Sequence, residues 1–125
     1  MKCVRAIRDG HGEAAQALSA NLLDSILRSW VDKTNLKKIT QNHFTKTGVK
    51  IDLEDYEIRA AFVVAPVWHA YAQYRTEAGD PIPSKFARHA SAHAVTRRQY
   101  TRINAVMGLM LVTSVLKFLD SGHSW

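Results

Sequence analysis

One arginine and two histidines fall within a stretch of six residues, at Arg88, His89 and His93. Histidine changes charge near neutral pH, so its imidazole can accept or release a proton during a reaction. Arginine stays charged, and its planar guanidinium can hold two phosphate oxygens at once. Cleaving RNA without a metal ion needs a base for the 2′-hydroxyl, an acid for the leaving oxygen and a cation on the phosphate. The three side chains are of the types that this reaction requires.

Two other interpretations of the histidine pair stay open. The His-x-x-x-His spacing suits a two-ligand metal site, but zinc takes three or four protein ligands, and no Asp, Glu or Cys lies near the pair. A metal would have to recruit His43, His69 or a carboxylate of the second long helix, so we predict no metal and no other cofactor. Alternatively, the histidines only form hydrogen bonds across the fold.

The basic charge of the chain is concentrated around the histidines. The formal net charge is +6, yet residues 1–83 carry eleven Lys/Arg against ten Asp/Glu. Residues 84–119 carry no acid and six basic residues, namely Lys85, Arg88, Arg97, Arg98, Arg102 and Lys117. Such asymmetry favours an anionic partner, nucleic acid or phosphate, and a solvated basic face without a ligand stays open as the alternative. All but Arg88 and Lys117 are predicted to bind nucleic acid directly.

Length and composition predict one domain over residues 1–125. A chain of this size with 46% hydrophobic residues can bury a core without disulfides or metals. Cys3 is the only cysteine, which excludes an internal disulfide and fits a cytoplasmic location. No signal-peptide core is visible, and the apolar run 105–116 is too short to span a bilayer, so no membrane contact is expected. Residues 1–12 are predicted to be a loose arm or the tail of a preceding segment.

Apolar residues recurring every three to four positions predict an all-α fold. Four helices are expected, at Glu13–Val31, at Asp52–Glu77 with a kink or break near Pro66, at Lys85–Val95 and from Thr96 onward. The last is apolar on most sides, which predicts the central helix of an antiparallel bundle of four to five helices. The polar stretch Lys33–Asp52 is predicted to be a crossover loop, with a short helix at Asn35–Asn42.

Local signals predict how the histidine helix begins and how the next helix follows. Ser84, directly after Pro83, has the character of an N-cap, and Thr96-Arg97-Arg98-Gln99 matches a capping box for the last helix. Phe86, Ala90 and Ala94 are the predicted buried line of the histidine helix. In the first long helix, Gln16 and Asn21 are predicted to form hydrogen bonds in the core or at an interface.

Helix geometry separates the three candidate catalytic groups. Residues four apart on a straight α-helix differ by about 40° in direction, and residues five apart by about 140°. His89 and His93 therefore share a face, whereas Arg88 points about 100° away from His89. A bend in the helix or a second subunit must bring Arg88 and His93 to one substrate.

Arg88-x4-His93, followed by the long apolar stretch Arg97–Leu119, resembles the HEPN superfamily of small all-α domains and the related abortive-infection C-terminal families. That superfamily carries an R-x(4–6)-H motif late in a four- or five-helix bundle, with a polar residue commonly after the arginine. Here His89 takes that place, where Asn or Asp is more frequent. The sequence resemblance covers residues 84–120. The remaining residues resemble the superfamily only in their predicted helical architecture.

The resemblance implies a function as well as a fold. Many HEPN proteins are metal-independent ribonucleases of toxin–antitoxin, phage-defence or RNA-processing systems, and they commonly dimerise so that two motifs form one site. If the roles known in the superfamily apply here, Arg88 would orient and stabilise the phosphate, and His93 would act as base or acid. His89 would assist as a polar partner. The implied partners are RNA, a second copy of the chain, and an antitoxin or nucleotidyltransferase. Other members have lost catalysis, so a non-catalytic dimerisation, nucleic-acid-binding or protein-binding module is the alternative.

Overall fold

The computed structural model describes residues 2–40, 58–93 and 96–122, and within these ranges all regular structure is helical. The helices are α1 (Lys2–Arg8), α2 (Gly12–Trp30), α3 (Lys33–Thr40), α4 (Ile58–Ala70), α5 (Arg88–His93) and α6 (Arg102–Asp120), with a short 3₁₀ helix at Thr76–Ala78. The predicted all-α class is confirmed. Most of the predicted crossover loop with His43, the start of the second long helix, and Ala94 and Val95 lie outside the described residues.

The two longest helices, α2 and α6, make the largest contact in the described part of the chain. A Cβ added to Gly12 would lie 4.0 Å from the Cβ of Ala105, so both helices begin at the same end of the molecule. The predicted antiparallel arrangement therefore does not hold for this pair. The apolar core continues from these helices to α3 and α4, and includes Leu23, Leu27, Ile39, Val64, Val67, Val112 and Val115.

The N-terminal residues form a packed helix rather than the predicted loose arm. α1 contacts both α2 and α6, and its Cys3 is buried. Gly10, which has a φ of 84°, makes the turn into α2. Glycine suits this position because a left-handed conformation is costly for residues that carry a Cβ.

Pro66 lies inside α4, and the helix continues past it to Ala70, so the predicted break does not occur. The predicted alternative, a kink near Pro66, stays a prediction. Proline removes only one helical N–H, and surrounding packing can compensate for it. α4 ends well before the predicted Glu77. Beyond the end of α4, Ala72 N bonds to the carbonyl oxygen of His69 at 3.3 Å. This bond spans three residues instead of the four of an α-helix, which is common where a helix ends.

The histidine helix begins at Arg88, later than the predicted Lys85, and α6 begins at Arg102, later than the predicted Thr96. Thr101 is the N-cap of α6, because its side chain accepts a hydrogen bond from Asn104 N at 3.1 Å. Thr96 instead starts a turn, with Tyr100 N bonded to its carbonyl oxygen at 2.9 Å. The Thr96 side chain does accept from Gln99 N at 3.4 Å, one half of the predicted capping box, but this bond lies in the turn before α6. Ser84 lies four residues before α5, so neither residue is the N-cap of the helix predicted for it.

One side of α6 faces solvent, so α6 is not the enclosed central helix that its composition predicted. Ile103, Met107 and Met110 are exposed, whereas Asn104, Gly108, Val112 and Val115 on the other side of the helix are buried. By length and composition alone α6 could cross a membrane, a test that core helices of globular proteins also pass.

Candidate functional site

A buried polar network, consisting of Gln16, Ser91, Gln99 and Asn104, fixes α5 against the two long helices. Gln16 Nε2 donates to Ser91 Oγ at 2.9 Å and to Gln99 Oε1 at 3.1 Å. Asn104 Nδ2 donates to Gln99 O at 2.7 Å. All four residues are buried, so these hydrogen bonds are shielded from competing water.

Gln99 also binds the backbone that leads into α5. Its Nε2 donates to Pro83 O at 2.7 Å and to Lys85 O at 3.1 Å, and its Oε1 accepts from Ala87 N at 3.3 Å. These backbone groups are therefore satisfied by a side chain rather than by a helical turn, which explains why the helix starts only at Arg88. At the other end of α5, the Tyr100 hydroxyl donates to Ser91 O.

The opposite side of α5 is held by an ionic cluster around Asp24 of α2. Its carboxylate accepts from Arg28 Nε at 2.8 Å and from the Tyr71 hydroxyl at 2.9 Å, and Arg88 Nη2 lies 3.4 Å away. The Arg88 guanidinium also lies over the Tyr71 ring, 6.0 Å from its centroid. α5 therefore runs opposite to α2, with Arg88 beside Asp24 and Ser91 beside Gln16.

The ionic cluster shifts the pKa values of two of its own members, Asp24 and Tyr71. Partial burial opposes ionisation of Asp24, but the hydrogen bonds from Arg28 and Tyr71 and the charge of Arg88 outweigh it and lower the pKa of that carboxyl. Burial, followed by the negative charge of Asp24, raises the pKa of Tyr71. At neutral pH the cluster therefore holds an ionised carboxylate and a protonated tyrosine.

A cavity of about 420 Å³ opens beside this cluster, between α2, α3 and α5. Its lining residues are Asp24, Arg28, Lys33, Leu36, Lys37, Thr40, Tyr71, Arg88 and His89. We refer to it as the cationic cavity, because four of these side chains are positive and one is negative. Of the predicted catalytic residues, Arg88 and His89 reach it.

His89 and His93 share a face of α5, as their spacing predicted. Their rings are stacked, with centroids 6.2 Å apart and planes inclined by 25°. Burial, the charge of Arg88 and the neighbouring His93 lower the pKa of His89 below its ordinary value. His89 is thus held neutral near pH 7 and can accept a proton. His93 is exposed and does not line the cationic cavity.

The predicted nucleic-acid-binding residues do not gather at the cationic cavity. Lys85 lines a more apolar cavity of about 310 Å³ together with His69 and Met107. Arg102 lines a third cavity, of about 390 Å³, with Arg8 and Tyr100. Arg97 and Arg98 are exposed on the turn before α6.

Sequence reasoning missed Asp24, Arg28, Lys33 and Lys37 as members of the site. For Lys33 and Lys37 the sequence did contain an indication, because residues four apart lie on one face of a helix, here α3. For metal binding, the described ranges hold no group of three or more His, Cys, Asp or Glu side chains that could bind an ion.

Comparisons of the chain with protein-family models, with curated proteins and with solved structures found no match.

Proposed function

We propose that this chain is a HEPN-like protein that binds RNA and cleaves it without a metal ion, in a defence or toxin–antitoxin type system of the cytoplasm. One observation carries the proposal: a stacked pair of histidines adjoins an arginine at the edge of a cationic cavity. The pair supplies groups for proton transfer, and the cavity supplies positive charge for a phosphate.

In the proposed reaction, the 2′-oxygen of RNA attacks phosphorus, and the bond from phosphorus to the 5′-oxygen breaks. One histidine takes the 2′-hydroxyl proton and a second group protonates the leaving 5′-oxygen, giving a 2′,3′-cyclic phosphate and a 5′-hydroxyl. His93 is assigned as base or acid, and His89 assists as a neutral acceptor. Arg88 stabilises the charge on the phosphate, while Asp24 orients its guanidinium.

The test is cleavage of single-stranded RNA by purified protein in EDTA. We expect the wild type to leave cyclic phosphate ends and His93→Ala to lose about 100-fold or more in rate. His11→Ala is the matched control, because it removes a histidine before α2 and leaves α5 unchanged. Equal cleavage by wild type and His93→Ala, or none by either, would refute the catalytic proposal.

We further propose that the active form is a homodimer, with an antitoxin or nucleotidyltransferase as an additional partner. Support comes from α5 itself, where Arg88 turns to Asp24 and the cationic cavity while His93 stays outside the cavity lining. A second subunit could bring its own His93 to the Arg88 of the first. Mixing Arg88→Ala with His93→Ala should then restore part of the activity. Mixtures that stay as inactive as either variant alone would argue against a shared site.

The alternative is a non-catalytic binding or dimerisation module. The observation that favours it is the exposure of large apolar side chains on α4 and on α6, where Phe62 is 74% and Met110 62% exposed. Exposed apolar patches commonly mark interaction sites. Self-association that Met110→Ser abolishes, together with RNA binding but no cleavage, would favour the module over the ribonuclease.

A further inference from the structure

We infer that Arg28, Lys33 and Lys37 form a second phosphate subsite in the cationic cavity, next to the one at Arg88. This inference rests on the proposed function, because it assigns the subsite to the phosphate that neighbours the scissile phosphate of a bound RNA. The ligand it requires carries at least two phosphate groups close together.

The charge balance of the cavity supports this subsite. Four cationic side chains and one carboxylate line the cavity, a formal excess of three positive charges. One phosphodiester bound at Arg88 would leave most of that excess uncompensated. A second phosphate would neutralise more of it, and charge compensation of this kind dominates the affinity of proteins for nucleic acids.

The geometry of the cavity separates the two subsites. Arg88 and His89 come from α5 on one wall, whereas Lys33 and Lys37 come from α3 on another. The two lysines are four residues apart and therefore project from the same face of α3. Both are exposed, and within the described ranges neither forms an ion pair with a carboxylate at 4.0 Å or less.

Asp24 links the two subsites. Its Oδ2 lies 2.8 Å from Arg28 Nε and 3.4 Å from Arg88 Nη2, so one carboxylate oxygen positions a guanidinium of each subsite. A guanidinium has five N–H donors, and the remaining donors of each arginine can bind phosphate oxygens. Asp24 is therefore a positioning residue for both.

The experiment measures binding of a fluorescent 2′-O-methyl oligonucleotide, which lacks the attacking hydroxyl, over a series of KCl concentrations. The variant is Lys33→Ala/Lys37→Ala, and the matched control is Lys2→Ala/Lys117→Ala, which removes two exposed lysines outside the cavity. Because each neutralised phosphate on a single strand contributes about 0.7 to the salt slope, and the subsite holds one phosphate, we expect the slope to fall by about 0.7 in the variant. The control should keep the wild-type slope. Thermal melts confirm that both proteins are folded.

The outcomes distinguish the subsite from the proposed function. If RNA binds and the variant matches the control, the subsite is overturned while RNA binding stands. If the oligonucleotide does not bind, pyrophosphate is titrated into ¹⁵N-labelled protein. Shifts at Lys33 and Lys37 of the wild type, together with weaker pyrophosphate binding by the variant than by the control, then support a site for two phosphates in a small ligand. Without them, the subsite is overturned.

Discussion

The two sides of α5 are held by opposite kinds of chemistry. Towards α6, Gln16, Ser91, Gln99 and Asn104 form uncharged hydrogen bonds in the interior. Towards α3, Asp24 binds two arginines and a tyrosine beside an open cavity. One side is closed to water and the other is accessible to ions.

This difference separates stability from function. A buried polar group that loses its partner pays the full desolvation penalty, so the buried polar network must be costly to disrupt. A solvent-accessible ion pair contributes little, because water and salt compete with it. The network therefore fixes α5, whereas the ionic cluster can exchange protein contacts for a ligand's phosphates.

The largest effect is expected for Gln99→Ala. The substitution removes the side-chain partner of the buried Ala87 N–H and of the part-buried Pro83 and Lys85 carbonyl oxygens, and it removes one of the partners of Gln16. It also empties a fully buried position, so we expect the free energy of unfolding to fall by about 3 kcal/mol. Chemical denaturation measures this, with Asn21→Ala as control because Asn21 is exposed and bonds within its own helix. A loss no larger than that of the control would contradict the structural role of the network.

The second prediction concerns the packing under α5. A Cβ added to Gly108 would lie 2.7 Å from Phe86 Cε2, closer than packed atoms tolerate. Gly108→Ala should therefore lower the free energy of unfolding by about 2 kcal/mol, despite a gain in helix propensity of about 1 kcal/mol. Ser114→Ala, at an exposed position of the same helix, should be neutral or stabilising. Stabilisation by both substitutions would show that Phe86 moves aside easily.

A smaller effect is expected on the charged side. Asp24→Asn should lower the free energy of unfolding by about 1 kcal/mol at pH 7. The pKa of Asp24 is lower in the folded than in the unfolded protein. Its contribution to the free energy of unfolding is therefore fully present above the unfolded-state pKa of about 4, and it is lost as the pH falls through the folded-state pKa. Denaturation at several pH values should show the two proteins converging in acid. Asp9→Asn is the charge control, and a constant difference down to low pH would contradict the mechanism.

The smallest effect concerns His89. Because the pKa of His89 is lowered in the fold, the folded state binds a proton less readily than the unfolded state. The free energy of unfolding should therefore decline as the pH falls from about 6.5, the unfolded-state pKa, towards the folded-state pKa of His89. His89→Gln should remove this decline and give a flatter profile between neutral pH and pH 5. The His11→Gln variant, which retains His89, should keep the decline. A wild-type profile as flat as that of His89→Gln would contradict the assignment.

Local patterns in the sequence predicted part of this structure. Apolar periodicity correctly predicted the all-α class and the extent of α2, and the four-residue spacing predicted the shared face of His89 and His93. Gln16 was correctly predicted as a buried hydrogen-bonding residue. Each of these properties depends on residues close together in the chain.

Properties that depend on distant contacts were missed. The Gln99 side chain binds backbone groups before α5, and this delays the start of that helix. Its backbone N–H donates to Thr96 Oγ1 in the turn before α6. Lys33 and Lys37 could be placed on one helix face, yet nothing local indicated that this face meets α5. The contact of Arg88 with Asp24 of α2 was not predicted, because the two residues are far apart in the chain.

The most direct test of the central claim is to map bound RNA on the protein. A 2′-O-methyl oligonucleotide is titrated into ¹⁵N-labelled protein, and shifts are followed for backbone amides, arginine side chains and imidazoles. The account predicts that the largest shifts occur at Arg88, His89 and Lys37, and that the amides of Gln16 and Asn104 change little. Shifts confined to the apolar surface around Met110, or to the cavity of Arg8 and Arg102, would contradict it.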